Sequence, residues 1–328
     1  MATLVLKPDR DPTALAHAAA LLRAGELVAF PTETVYGLGA RVFCEPAIAR
    51  IFAVKGRPAD NPLIVHIAAV EDVHRVAVEI PSSFWVLAER FFPGPLTLIV
   101  RRHPSVPACV SAGLETVAVR MPRNPYALEL IRLTGEPVAA PSANRSGRPS
   151  PTRAEHVLQD LDGLIAAVVD GGECEIGLES TVLHLLMEPP LIMRPGAITA
   201  DELSAVLGVP VEYWRGSPTE AVPSPGVKYR HYAPNASVLL LPSWEEVRQW
   251  VQEHPEADPV VLASETPPEP FPLPVRLLQA ATLYAEFRRA DSEGKTHILV
   301  LYTPSVQAHP ALADRLRKAA THTAEEGP

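Results

Sequence analysis

Four short segments of this chain concentrate hydroxyl, amide and cationic side chains beside apolar runs. The first, Phe30-Pro31-Thr32-Glu33-Thr34-Val35-Tyr36-Gly37-Leu38-Gly39, crowds hydroxyls and glycines at the end of a buried-strand pattern, where open α/β sheets place their ligands. In the second, Lys55-Gly56-Arg57-Pro58 with Asn61 and His66 just beyond, two cations flank a glycine. That grouping can present positive charge to a polyphosphate while the glycine admits close approach of backbone. The third, Pro141-Ser142-Ala143-Asn144-Arg145-Ser146-Gly147, follows the apolar run Val138–Ala140 and offers neutral donors for phosphate or ribose. Glu179-Ser180-Thr181 and Arg194-Pro195-Gly196 repeat the theme on two later strand ends. Taken singly, each segment has a plainer reading as a hydroxyl-rich turn or a solvated pair of charges on a loop.

What is missing narrows the chemistry. The chain has no GxxxxGKS/T phosphate loop, no GxGxxG after a strand, no HExxH and no GxSxG, which removes support from P-loop, dinucleotide, zinc-peptidase and elbow-type hydrolase readings. Cys44, Cys109 and Cys174 lie far apart with no CxxC pair, fitting neither a zinc site nor a disulfide framework. The formal charge of −9 argues against a nucleic-acid coat, yet between residues 118 and 153 six Arg face only Glu129 and Glu136. An arginine-rich stretch inside an acidic chain points to a local anionic ligand.

Elements able to position these segments can be read around them. Asp11 is placed to cap a first helix with Pro12 at its first position, Leu15, Ala18, Ala19 and Leu22 on one face, and Gly25 at its end. Strands are expected at 27–30, 62–67, 96–100, 117–120, 138–140 and 181–185, with helices near 46–54, 82–91, 124–134 and 153–161 between them. Mixed in this way they indicate an α/β sheet covered by helices, with strand order undetermined. The length of 328 residues favours two domains. From Tyr213 to Pro234 the chain is rich in Pro, Gly, Ser and aromatic residues and reads as a linker. Strands at 238–241, 260–263 and 298–302, with helices at 244–252, 279–290 and 310–320, then form a smaller α/β domain. The expected divisions are 1–208, a linker or lid at 209–234, and 235–328. No run approaches the roughly 20 apolar residues of a membrane span, and the N-terminus lacks a secretory pattern, so the cytoplasm is expected.

Taken in order, the segments resemble the YrdC family in its longer two-domain form, the threonylcarbamoyl-AMP synthases. The resemblance rests on Lys55-x-Arg57, Ser142-x-Asn144, the FPTETVYGLGA opening, FFPGPLT at 91–97, VAVRMP at 117–122 and the linker SPGVKYRHYAP at 224–234. It implies a twisted mixed sheet of YrdC type and a Rossmann-like C-terminal domain. It also implies a reaction: L-threonine and bicarbonate give N-carboxythreonine, whose carboxylate attacks the α-phosphate of ATP, releasing pyrophosphate. The adenylate would be handed to a separate tRNA threonylcarbamoyl transferase for threonylcarbamoyladenosine formation.

By the same resemblance, Lys55 and Arg57 are the expected catalytic cations. Arg57, Asn61, Thr116, Ser142, Asn144, Ser150, Arg194 and Tyr232 fall at nucleotide positions, with Tyr229 a second linker aromatic. Thr34, His66, Arg120, Ala140 and Ser180 fall at threonine positions. Arg120 is suited to a bidentate pairing with the threonine carboxylate. Magnesium is expected with ATP, held by phosphates and water rather than by protein side chains.

Two other functions compete. A related domain is part of a carbamoyltransferase working from carbamoyl phosphate; that arrangement expects acylphosphatase-like and zinc-finger segments ahead of the first motif, where this chain has almost none. YrdC-type domains also have a concave basic surface suited to double-stranded RNA. Residues 1–200, with 18 basic and 21 acidic side chains, count against that use, and direct binding of tRNA stays open.

Overall fold

A computed structural model describes residues 2–216 and 232–321, which divide into two compact units. The first comprises 2–146 and 150–216; the second comprises 232–321 together with the tripeptide Gly147–Pro149.

The first unit is built on one mixed sheet. Its strands are β1 (Leu4–Leu6), β2 (Val28–Phe30), β3 (Gly37–Arg41), β4 (Ile64–His66), β5 (Leu96–Arg101), β6 (Thr116–Arg120), β7 (Val138–Ala139), β8 (Ala167–Val169), β9 (Thr181–His184), β10 (Leu191–Arg194) and β11 (Glu212–Tyr213). They lie side by side in the order β1-β8-β2-β3-β7-β4-β6-β5-β9-β10-β11. Parallel and antiparallel pairings alternate across the central strands: β4 is parallel to β6 and antiparallel to β7, and β5 is antiparallel to β6 and parallel to β9. Strands 2–6 residues long suit a sheet whose apolar side chains are covered by helices.

On one side the helices Ala14–Arg23 and Pro125–Thr134 bury Ala18, Leu22, Leu130 and Ile131 against Val28, Phe30, Val138 and Val169. On the other, the helices Glu45–Lys55 and Ser82–Phe91 supply Ile48, Ile51, Phe84 and Leu87 to a core with Leu38, Val65, Leu98 and Val119. Each large apolar side chain removed from water in this way contributes about 1.5–3 kcal/mol. Asn124 caps the helix Pro125–Thr134 through Oδ1, which accepts from the Tyr126 and Ala127 amides at 2.9 and 3.3 Å.

The expected elements mostly appear within a few residues of their places, with three differences. Thr13, not Asp11, takes the cap position of the first helix; the Asp11 carboxylate accepts from the Thr13 amide at 2.8 Å and hydroxyl at 2.7 Å, closing the preceding turn. The C-terminal helix expected at 279–290 spans Leu283–Ser292. Inside the stretch read as linker, β11 pairs with β10, so the first unit's sheet continues past residue 208. Residues 217–231 of that stretch lie outside the described residues.

The second unit has a wholly parallel sheet in the order β12-β15-β13-β14, from Ser237–Leu241, His297–Leu301, Pro259–Ala263 and Val275–Leu277 respectively. The helices Trp244–Glu253, Leu283–Ser292 and Pro310–Ala319 accompany it, giving the small α/β domain expected. Among the described residues no helix is long and apolar enough to cross a membrane.

Candidate active site

One face of the central strands carries polar side chains where a sheet normally carries apolar ones. Side chains alternate along a strand, and the register pairs Ile64 with Ala118 and His66 with Arg120, so Thr116, Ala118 and Arg120 of β6 share a face with Ile64 and His66 of β4. Ile99 pairs with Ala118, which places Thr97 on the same face two residues along β5. Between the polar groups lies a small apolar floor of Ile64, Ile99, Ala118, Val182 and Met193, with Trp214 packed on it.

Arg120 is the centre of the first polar group and is 4% exposed. Its Nη2 donates to Glu33 Oε1 at 2.7 Å, its Nη1 to Thr34 Oγ1 at 3.0 Å and its Nε to the Gly94 carbonyl at 3.4 Å. The other Glu33 oxygen accepts from the Arg123 amide at 3.0 Å. Burial alone would raise the Glu33 carboxyl, but the charge and hydrogen bonds of Arg120 outweigh it and hold the group below the ordinary carboxylate range. Thr32 donates its hydroxyl to the Val35 carbonyl at 2.7 Å, which leaves the Thr34 hydroxyl to donate to Thr32 at 2.8 Å while accepting from Arg120. Of the five N–H groups of the Arg120 guanidinium, three are thus used within the described residues and two remain.

His66 lies beside Arg120 with its ring edge-on to Phe30, centroids 6.1 Å apart. Burial first, and the neighbouring Arg120 charge second, press its pKa down to about 3, so the imidazole is neutral at physiological pH. Its Nδ1 is buried without a hydrogen-bond partner, and so is Nδ2 of Asn61. Buried polar atoms are nearly always paired, so two orphans flanking one strand mark the place where a ligand would supply the partners.

The second group surrounds Lys55. Gly56 ends the helix Glu45–Lys55 in the left-handed conformation, φ 60°, which suits glycine and turns the chain so that Lys55 and Arg57 diverge. Lys55 is 3% exposed, and its ammonium donates to the carbonyls of Ser142, at 2.6 Å, and Asn144. Its own carbonyl accepts from the Ser146 amide at 2.9 Å. The lysine is therefore the post on which the Ser142–Ser146 loop is wound. Arg57, half-buried, donates to the carbonyls of Asn61 at 3.2 Å and Pro62 at 2.9 Å, which orders the lead into β4. Ser142 bridges to Gly37, and the Ala140 amide donates to the Ile64 carbonyl at 2.9 Å.

The third group lies at β9 and β10. Ser180 Oγ is 2.8 Å from Thr97 Oγ1 and accepts from Arg194 Nη2 at 3.2 Å, while Arg194 Nε donates to the Ser180 carbonyl at 3.2 Å. Ser150 donates to Glu179 Oε1 at 2.5 Å. Gly196 packs against this backbone; a Cβ there would come within 2.2 Å of the Thr181 nitrogen.

The structure thus puts His66 and Arg120 on the paired strands β4 and β6, with Thr34 bonded to Arg120, Ala140 bonded to Ile64 just past β7 and Ser180 bonded to Thr97 just before β9; Lys55 holds the Ser142 and Asn144 carbonyls, and Arg57 and Asn61 lead into β4. Arg194 sits with Ser180. Thr116 opens β6, four residues and ~13 Å along the strand from Arg120. Tyr232 belongs to the second unit, and Tyr229 lies outside the described residues. Sequence reasoning assigned no role to Glu33, Thr97 or Glu179. Glu33 carries a usable signal, a lone carboxylate between two threonines in an apolar segment. Cys174 is buried, Cys44 and Cys109 are half-buried, and all three are free thiols.

A strand-end site of cations, hydroxyls and amides on a mixed sheet, joined to a parallel-sheet C-terminal unit, defines a class that comparison identifies. The sequence profile of the Sua5/YciO/YrdC family, described as "Telomere recombination", matches residues 20–196. The profile described as "Threonylcarbamoyl-AMP synthase, C-terminal domain" matches 198–321. A threonylcarbamoyl-AMP synthase from Pyrococcus abyssi is 51% identical over 241 residues, covering 72% of this chain and 70% of that one. One from Schizosaccharomyces pombe is 37% identical over 98% of this chain and 92% of its own. The crystal structure of P. abyssi Sua5 complexed with L-threonine superposes with a TM-score of 0.86 at 40% identity, covering 97% of both chains. The chain belongs to the threonylcarbamoyl-AMP synthases, adenylate-forming enzymes of the nucleotidyltransferase type, in the form that carries the Sua5 C-terminal domain.

Proposed function

We propose that this chain condenses L-threonine, bicarbonate and ATP into L-threonylcarbamoyladenylate and pyrophosphate, for transfer to tRNA by a separate enzyme in the cytoplasm. The observation that carries the assignment of the site is the pair of buried, unpartnered atoms His66 Nδ1 and Asn61 Nδ2 beside Arg120 and Arg57.

In the first step the threonine amine attacks bicarbonate carbon, a C–N bond forms and water leaves, giving the carbamate. In the second a carbamate oxygen attacks the α-phosphorus, the bond to the bridging oxygen breaks and pyrophosphate departs. Neither step needs a covalent enzyme intermediate; the work is positioning and charge stabilisation. The two remaining N–H groups of Arg120 would take the threonine carboxylate, with Thr34, His66, Ser180 and backbone at Ala140 fixing the rest of the amino acid. Neutral His66 presents no competing positive charge there and can accept a hydrogen bond.

Arg57 and Lys55 would supply positive charge at the phosphates, and Asn61, Thr116, Ser142, Asn144, Ser150 and Arg194 would hold the nucleotide, with Tyr232 of the linker as a further nucleotide contact. Among the described residues no three His, Cys, Asp or Glu side chains come together to hold an ion. Magnesium would enter as the partner of the ATP phosphates, where it would offset their negative charge.

The test is pyrophosphate release by the purified protein with each substrate omitted in turn. Release should require threonine, bicarbonate and ATP together; release that ignores threonine overturns the assignment.

A further inference from the structure

Thr97 of β5 and Ser180, the residue before β9, are both buried, and their hydroxyl oxygens lie 2.8 Å apart. Among the described residues the Thr97 hydroxyl has no other hydrogen-bond partner, and the Ser180 hydroxyl has one more, accepting from Arg194 Nη2 at 3.2 Å. Each hydroxyl carries one proton and two lone pairs. The bond between them uses one of the two protons. Arg194 offers only donors and cannot take the other. One proton of this buried pair is therefore left without an acceptor among the described residues. Buried donors are rarely left so unless a ligand or ordered water completes them.

Register sets this pair beside Arg120. Leu98 lies opposite Val119 in the antiparallel β5–β6 pair, so one residue earlier Thr97 stands opposite Arg120, on the face that also carries His66. Such cross-strand neighbours have Cβ atoms about 4.5–5.5 Å apart. If Arg120 takes the threonine carboxylate, an acceptor one strand over belongs to a group only a few bonds from it. The threonine amine does not fit: protonated it only donates, and deprotonated its lone pair is committed to the carbon it attacks. Bicarbonate, and the carbamate it becomes, present anionic oxygens. The Arg194 charge on Ser180 favours such an anion over the neutral threonine hydroxyl.

We propose that Ser180, oriented by Thr97, forms the bicarbonate subsite. Thr97 is a positioning residue: it donates to Ser180, so that Thr97 and Arg194 together fill both Ser180 lone pairs. The Ser180 proton is thereby committed to an oxygen of bicarbonate. The same donor serves the carbamate oxygen once the C–N bond has formed and water has left.

This inference rests on the threonine and bicarbonate reading given above. It is tested by pyrophosphate release from the full chain in carbonate-depleted buffer, with bicarbonate varied at saturating threonine and ATP, and by calorimetric titration of threonine. Thr97→Val keeps the side chain's shape and removes its hydroxyl. It should raise the KM for bicarbonate about fivefold or more, the scale of one lost hydrogen bond. Threonine affinity should stay within about twofold of wild type, since Arg120, Thr34 and His66 are untouched, and this also reports an intact fold. Thr97→Ser, which restores the hydroxyl, should recover most of the loss. An unchanged KM for bicarbonate in Thr97→Val, threonine affinity weakened in equal proportion, or no recovery in Thr97→Ser overturns the proposal. If Thr97→Val does not fold, Thr97→Ala is judged by the same criteria. Wild-type release that ignores bicarbonate means that the underlying reaction has failed. Release that saturates with bicarbonate equally in wild type and Thr97→Val means that the positioning role alone has failed.

Discussion

Arg120 and Glu33 are joined inside the first unit by a 2.7 Å ion pair whose side chains are only 5% and 3% exposed. The pair settles how a cation can wait in the sheet interior for an anionic substrate: Glu33 neutralises it at one edge, Thr34 and the Gly94 carbonyl fix its plane, and two N–H groups stay in reserve.

Breaking that pair should be costly. Glu33→Gln leaves the Arg120 charge buried without its counter-charge, and denaturant unfolding at neutral pH should show a loss of about 3–5 kcal/mol. Glu33 is held ionised below the ordinary carboxylate range, so its contribution is present above its unfolded pKa and is lost as pH falls through the lower folded value. The difference between wild type and Glu33→Gln should accordingly shrink in acid below pH 4.5.

His66 gives a second acid dependence of the same sign. Its pKa falls from the ordinary 6.5 to about 3, so between those values the unfolded chain binds a proton that the folded chain refuses, and stability declines as pH is lowered across that window. His184 is also lowered by burial and adds to the slope. His66→Asn should flatten the stability–pH curve between pH 3 and 6.5 relative to wild type; an unaltered slope would show that His66 is not the group responsible.

Arg57 should matter to rate. It is half-buried and donates to the Asn61 and Pro62 carbonyls at the lead into β4, and Arg57→Ala should lose on the order of 100-fold or more in pyrophosphate release. Wild-type turnover in that variant would remove it from the site.

Gly196 offers a steric test. An added methyl would meet the Thr181 nitrogen at 2.2 Å, and that contact is backbone, which cannot swing aside. Gly196→Ala should cost about 1–3 kcal/mol in stability and, by displacing Ser180, should lower threonine affinity, read by titration calorimetry.

Much of this arrangement could be read from the residues. The strands at 96–101 and 116–120 and the helices at 45–55, 82–91 and 125–134 announce themselves through apolar periodicity and a proline or asparagine at the start. Strand β3, Gly37–Arg41, escaped because two glycines interrupt its apolar pattern, and β11, of two residues, is too short to carry any period. Strand order escaped as well, since pairing Thr97 with Ser180 across 83 residues depends on a register that no local pattern encodes. In the site, residue types pointed to anion chemistry, but direction did not follow from them. Lys55 and Arg57 sit two apart, and only the left-handed Gly56 sends one ammonium inward to loop carbonyls and leaves the other side chain half-buried on its own turn. Glu33 stayed unassigned because its partner is 87 residues away.

The second unit is discontinuous in sequence, and that limits how it can be exchanged. A gene fragment covering residues 232–321 carries the sheet and Arg288, but not the three residues that Arg288 and Ala233 grasp. Swapping such C-terminal units between homologous chains therefore transplants a socket without its plug, unless the Gly-Arg-Pro at 147–149 is carried across as part of the same module.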